Sequence, residues 1–265
     1  MEVLGYAGAI AIGVSLGLIG GGGSILTVPV LVYLLHIDPV LSTAYSLFIV
    51  GSASLVGAVG NMKKGLVSYK TAIIFGLPSM AAVFLTRKFL VPAIPDHLMD
   101  IGNFELTKPV MMMLVFAVMM LLASVSMIKG RSQENCQSQL EPSKNQYLML
   151  LVQGVLIGTL TAFVGAGGGF LIIPALVVLA KLPMKTAIGT SLTLIAFNSL
   201  FGFIGDVLQR DIAWSFLLIF AALAVAGIFI GMKLAEYIPG YKLKKGFGWF
   251  VVIMGVWVLS KELIF

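Results

Sequence analysis

The sequence predicts an all-α polytopic membrane protein made of two homologous halves. Its composition, its uncharged runs and an internal repeat predict this. Of 265 residues, 59% are hydrophobic and only 11% charged, with mean hydropathy +1.06, whereas soluble domains carry about 25% charged residues. Val110–Ser126 and Trp214–Met232 contain no charge, and about 20 apolar residues span a bilayer. The repeat appears at a shift of 145 residues: Gly13–Asn61 against Gly158–Asp206 shows 15 identities in 49 ungapped positions. Gly20/Gly165, Gly22/Gly167, Gly23/Gly168, Pro29/Pro174, Ser46/Ser191, Ser54/Ser199, Gly57/Gly202 and Gly60/Gly205 are among them. Shared apolar composition supplies matched leucines more readily than matched glycines, serines and a proline in one register.

The first half, 1–128, is joined to the second, 147–265, by the polar linker 129–146 (KGRSQENCQSQLEPSKNQ). Expected segments in the first half are 3–19, 25–35, 40–61, 67–86 and 109–128. Their counterparts are 147–164, 170–180, 184–205, 212–235 and 246–264. The N-terminus opens with an acid and no base, so Val3–Ile19 reads as a retained span and not as a signal peptide. After it comes GLIGGGGSILTVP, Gly17–Pro29, echoed by AFVGAGGGFLIIP, Ala162–Pro174. Runs of glycine, with a proline close behind, break a helix. The 11-residue segments that follow reach about 16 Å, half a bilayer. Each half therefore reads as a glycine-broken hairpin plus three further spans. Pro29 and Pro174 either open the short helices or sit inside them.

Charge orients the chain. With 3–35 and 147–180 as hairpins, one side receives 12 bases: Lys63, Lys64, Lys70, Lys129, Arg131, Lys144, Lys181, Lys185, Lys233, Lys242, Lys244 and Lys245. The other receives Arg87, Lys88, Lys108, Arg210 and Lys261, which is 5. As single crossings these segments divide the bases 8 to 9, and 33 helical residues would reach about 50 Å, too long for one passage. The positive-inside rule then places the linker in the cytoplasm of a cell-membrane protein and both termini outside. An odd number of passes per half makes the repeats inverted, an architecture of secondary transporters. The net charge of +6 lies in loops and gives no reason to expect a nucleic-acid partner. Cys136, the single cysteine, allows no internal disulfide. No metal motif, cofactor motif or nucleophile–base set points to an enzyme. No charge is expected deep in a span, with Asp38, Asp206 and Asp211 near span ends and Arg87 in a loop.

A broken helix exposes backbone N–H groups, and a helix N-terminus carries about half a positive charge. In lipid those groups need a partner, and a small anion is a suitable one. The candidate substrate-binding residues are Gly20, Gly21, Gly22, Gly23 and Ser24 at the first break, and Gly165, Gly167, Gly168 and Gly169 at the second. Ser24 is expected to cap the short helix. Hydroxyls at Ser46, Thr190 and Ser191 could donate to an oxyanion without adding charge. The competing role for such hydroxyls is bonding to a helix carbonyl, and for glycines it is close helix packing.

These residues carry a resemblance. GLIGGGGSILTVP, the hydroxyl-rich STAYSLF (Ser42–Phe48), GNMKKGLVSYK (Gly60–Lys70) and the second-half GAGGGFLIIP and AIGTSLT together resemble the sulfite exporter TauE/SafE family over nearly the whole chain. The resemblance implies a multi-pass carrier of sulfite, sulfonates or related anions across the cytoplasmic membrane, in the sense of export. One departure stands out: Thr190-Ser191 in the second half faces Tyr45-Ser46 in the first. Import, another small anion, and a membrane assembly protein without transport stay open as alternatives.

Overall fold

A computed structural model describes residues 2–264 apart from 96, 102–103, 130–143, 165–167, 181 and 208–211. The order begins with α1 (Glu2–Ile19) and α2 (Gly22–Pro29), which runs into a π turn at Val30–Leu34. Next come α3 (Pro39–Lys63) and α4 (Tyr69–Leu85), the latter continued by a π turn at Thr86–Leu90 and a last turn at Val91–Ala93. A two-stranded antiparallel hairpin, β1 (His97–Ile101) and β2 (Phe104–Thr107), leads into α5 (Lys108–Lys129). The second half holds α6 (Lys144–Val164), α7 (Gly169–Pro174) with a π turn at Ala175–Leu179, α8 (Met184–Val207), α9 (Trp214–Tyr237) and α10 (Gly240–Ile264). Five helical stretches are long and apolar enough to cross a membrane: 39–63, 69–93, 108–125, 184–207 and 214–237. The protein is thus an all-α polytopic membrane protein. The hairpin at 97–107 is its one departure from helix among the described elements.

Local chemistry sets the boundaries. Asp38 caps α3 by accepting from the Leu41 N–H at 3.0 Å, with Pro39 in the first turn. At the other end Gly65 takes φ +68, so that Leu66 N–H reaches Asn61 O and Gly65 N–H reaches Met62 O. This is a Schellman ending, which glycine makes possible. Pro29 and Pro174 lie inside their short helices, which decides between the two placements the sequence allowed. Each removes the N–H owed to the carbonyl four residues earlier. The chain continues in wider turns, with Leu35 N–H on Val30 O and Ala180 N–H on Ala175 O, both at 3.2 Å.

The packing repeats with the sequence. Gly13 lies against the Ala224 carbonyl and Gly227, and Gly158 against the Ser79 carbonyl and Ala82; all three pairs of positions differ by 145. Gly57 meets Ile228 and Leu192, whereas Gly202 meets Val83 and Leu47, again 145 apart. The two halves thus interlock by a pseudo-two-fold exchange. The Ile10 and Val14 carbonyls face Gly227 and Gly231, so α1 runs parallel to α9. The Phe75 and Ser79 carbonyls face Gly154 and Gly158, so α4 runs parallel to α6. Leu47, Leu200 and Leu192 meet Gly202, Gly51 and Gly57 respectively, so the counterparts α3 and α8 run antiparallel. Gly5 and Gly8 lie against Leu35 and Val30, and Leu16 against Gly23, which makes α1 and α2 an antiparallel hairpin.

Two apolar clusters enclose the short helices. Residues of α1, α3, α4, α8 and α9 form one, with Ile172 and Leu176 of the second short segment. In the other, Met113, Phe116 and Met120 of α5 and Val251 and Val258 of α10 cover Ile25, Val28 and Ile173. Large apolar side chains stay exposed along the long helices, among them Leu77, Leu122, Leu218, Phe229 and Ile253. In a bilayer these meet lipid, and their exposure is no defect. Tyr69 and Trp214, 145 apart, open α4 and α9 and are exposed, as interfacial rings are.

The expectation that Arg87 stands in a loop is overturned, while Asp206 stands next to the end of α8, near a span end as expected. Helix α4 runs past Leu85, so Arg87 stands in its π turn and not in a loop, with a relative exposure of 0%. Its Nη1 donates to Asp206 Oδ2 at 3.1 Å and to Thr43 Oγ1 at 3.0 Å. Asp206 is 3% exposed. A window that scores hydropathy ends a span at the first base, and it cannot see a carboxylate waiting 119 positions later.

Candidate functional site

The two glycine breaks meet in the buried centre of the molecule. Gly20 takes φ +76 and Gly168 φ +78, left-handed conformations that a Cβ disfavours. Gly21 lies directly against the Gly169 backbone, and Gly169 against Gly21 in return. A methyl group on either would strike main chain. Gly23 packs instead on the Ile12 carbonyl and Leu16. A Cβ on Gly20 would come within 2.9 Å of Ser191 Oγ and of Ile188. Gly20, Gly21 and Gly23 therefore serve close approach in three different directions. Gly22 is the first residue of α2. Gly165 and Gly167 lie outside the described residues.

The hydroxyls divide into spent and available groups. Ser24 is not a cap: Gly21 holds the cap position, and Ser24 Oγ donates to the Gly21 carbonyl at 2.6 Å from within the first turn. Thr27 donates to Gly23 O at 2.8 Å and Thr161 to Gly158 O at 3.0 Å. Ser191 donates to Ile188 O at 2.8 Å, with the Gly20 carbonyl at 3.5 Å. Such hydroxyls present lone pairs outward, which suits a donor and not an anion. Ser46, the counterpart of Ser191, differs. Its Oγ is buried and has no hydrogen-bond partner among the described residues.

Thr190 has a structural task. Its Oγ1 accepts the Ser68 N–H at 2.9 Å, at the start of α4. Tyr45 OH accepts the Ala213 N–H, also at 2.9 Å, at the start of α9. Ser68 and Ala213 are 145 apart, as are Tyr45 and Thr190. The mismatched pair thus does one job in both halves. Each hydroxyl ties the orphan N–H before a span to the helix beside it. Tyrosine reaches further than threonine, which only the spacing of the helices could reveal.

Beside the first break a cleft of about 60 Å³ opens at one end of the bundle. Gly17, Asn61, Lys64, Lys185, Ile188, Met232 and Glu236 line it, and Ile188 also touches Gly20. Lys64 and Glu236 pair at its mouth. The cleft thus carries two lysines and a glutamate, and Ile188 links it to the first break. The volume accommodates a few waters or one small oxyanion.

The family model described as "Sulfite exporter TauE/SafE" matches residues 5–258. A Xylella fastidiosa protein named "Probable membrane transporter protein" is 27% identical over 254 residues, covering 95% of this chain and 92% of its own length. A Haemophilus influenzae protein of the same name is 26% identical, with 94% of each chain covered. "Probable membrane transporter protein YdhB" of Bacillus subtilis is 25% identical, over 88% of this chain and 90% of its own. No solved structure matches the chain.

Proposed function

This chain belongs to the sulfite exporter TauE/SafE family and is a multi-pass membrane transporter, and on that premise we propose that it exports a small sulfur-containing anion, such as sulfite or a sulfonate, across the cytoplasmic membrane. The observation that carries the reading is the meeting of the two glycine breaks, Gly20–Gly23 with Gly168–Gly169, between two layers of helices. Broken helices that present N-terminal N–H groups at depth are how transporters hold anionic groups. The anion would sit at the break, with the α2 backbone and the Ser46 hydroxyl as donors. Gly165 and Gly167 would complete the second face, Ser24 and Ser191 would brace the first break, and Thr190 would hold the bundle around it.

The two repeats, 1–128 and 147–265, insert in opposite senses in this reading, with the linker 129–146 in the cytoplasm. The antiparallel course of α3 and α8 supports it. The cleft rimmed by Lys64 and Lys185 is then the cytoplasmic entrance. An inside-negative potential favours outward movement of an anion by about 2.3 kcal/mol per charge per 100 mV.

Flux from loaded liposomes tests the reading, with sulfite, thiosulfate, taurine and acetate compared at fixed potential. Release of a sulfur anion faster than acetate, and accelerated by an outward-driving potential, is expected. Equal leakage of all four, matching protein-free vesicles, would refute the substrate and the activity together. Release that vanishes without a pH gradient would instead make Asp206 the candidate proton site.

A further inference from the structure

The cleft and the buried ion pair occupy equivalent places in the two halves. Adding 145 to Thr43 and Arg87, and subtracting it from Asp206, gives Ile188, Met232 and Asn61, all of which line the open cleft. There Asn61 Nδ2 donates to Gly57 O of its own helix at 2.9 Å and has Met232 Sδ at 3.9 Å, and space remains beside them. At the other place Arg87, Asp206 and Thr43 close on one another and are all but inaccessible. Val40 and Val91, counterparts of the cleft residues Lys185 and Glu236, are buried with them at 7% and 1% exposure. The two places lie at opposite ends of α3, since Thr43 and Asn61 stand 18 residues apart, about 27 Å along a helix. Among the described residues, one fold therefore shows the same compartment open at one end and shut at the other.

We propose that the Arg87–Asp206 pair is the gate of a second anion vestibule, the pseudo-symmetric twin of the Lys64–Lys185 cleft, and that the structure shows the state in which this gate is closed. The proposal rests on the transporter reading. A carrier made of two like halves reaches its other state when the halves exchange conformations, and such states interconvert by shifting populations. The pair crosses the halves, joining α4 to α8, so the exchange has to part it. Parting takes the opposite charge away from a buried guanidinium and a buried carboxylate, which is costly unless each gains a substitute for it. Water entering the opened vestibule solvates Asp206, and a transported oxyanion takes the carboxylate's place on Arg87. A guanidinium fork suits an oxyanion as it suits a carboxylate. The gate thereby favours opening for anions over opening when empty.

Thiol accessibility tests the gate on the full-length protein in detergent, where both ends meet the reagent. C136S removes the native thiol, and V91C or E236C reports on the shut or the open compartment. The double variant R87M/D206N gives the shut end the residues of the open one and strands no charge. V91C is expected to react slowly with the gate intact and about tenfold faster in R87M/D206N, because a buried thiol reacts through the open population. E236C is expected to slow as the first cleft closes. An unchanged V91C rate in a double variant that still melts cooperatively would overturn the gate. If that variant does not fold, D206N keeps an oxygen for Arg87 to donate to but removes the ion pair, and its V91C rate decides by the same criterion. These rates need no substrate. Gate movement without anion flux would sink the transporter reading alone, and flux with an immobile pair would sink the gate alone.

Discussion

Ser46 and Ser191 are indistinguishable by sequence, yet their environments differ. Ser191 and Thr190 are engaged with the backbone, whereas Ser46 Oγ is buried without a partner. An unpartnered buried hydroxyl contributes nothing to folding and adds desolvation. Ser46→Ala should therefore leave the melting temperature unchanged or slightly raised, and should weaken the stabilisation that added sulfite confers. Thr190→Val should do the reverse. It strands the Ser68 N–H at a cost of about 1–3 kcal/mol, and the surviving protein should respond to sulfite as before. Thr190→Ser should restore stability. Thermal melts with and without sulfite separate the roles, since a ligand stabilises only the state that binds it. A full sulfite shift in Ser46→Ala would remove Ser46 from the site.

At the scale of elements, the break is a contact between two helix starts. Gly21 and Gly169 bring α2 and α7 together main chain to main chain. Gly21→Ala should cost about 1–3 kcal/mol by overpacking and should abolish flux. Gly246, in α10, has nothing within 4 Å of where its Cβ would stand. Gly246→Ala should be neutral or gain about 0.5–1 kcal/mol from helix propensity. Flux and melting measured on both decide the matter. Wild-type flux in Gly21→Ala would mean that the close approach of α2 and α7 is dispensable for transport. The helix breaks made by glycine runs were legible because their effects act within a turn or two, whereas the cap of α2 fell to Gly21 and not to the expected Ser24. The π turns and the reach of α4 to Ala93 were not legible, because both depend on what packs beside them.

For the whole molecule the decisive quantity is its orientation in the bilayer. In the proposed topology, the division of 12 bases against 5 predicts that 129–146 faces the cytoplasm. Cys136 should therefore resist a membrane-impermeant thiol reagent in intact cells and react once the cells are opened. Rapid labelling from outside would reverse the topology, exchange the sides of the cleft and the gate, and make the Lys64–Lys185 entrance external.

The sequence by itself determined the solvent, the duplication and the places where helices break. Each of these is written locally, in hydropathy, in register and in glycine and proline. It also located both halves of the candidate site by residue number. Tertiary structure decided which candidates are occupied. Ser24 and Ser191 bond back within their own turn, whereas Thr190 meets an N–H that folding brings from 122 positions away, and Tyr45 proves to be the counterpart of Thr190 because each meets the start of a span. Arg87 shows the difference most plainly. In the sequence it is a base at the edge of an apolar run. In the fold it is buried, because Asp206 and Thr43 arrive from other helices to compensate its charge. Whether a charge can enter the bilayer depends on its partner, and partners distant in sequence are known only once the chain has packed.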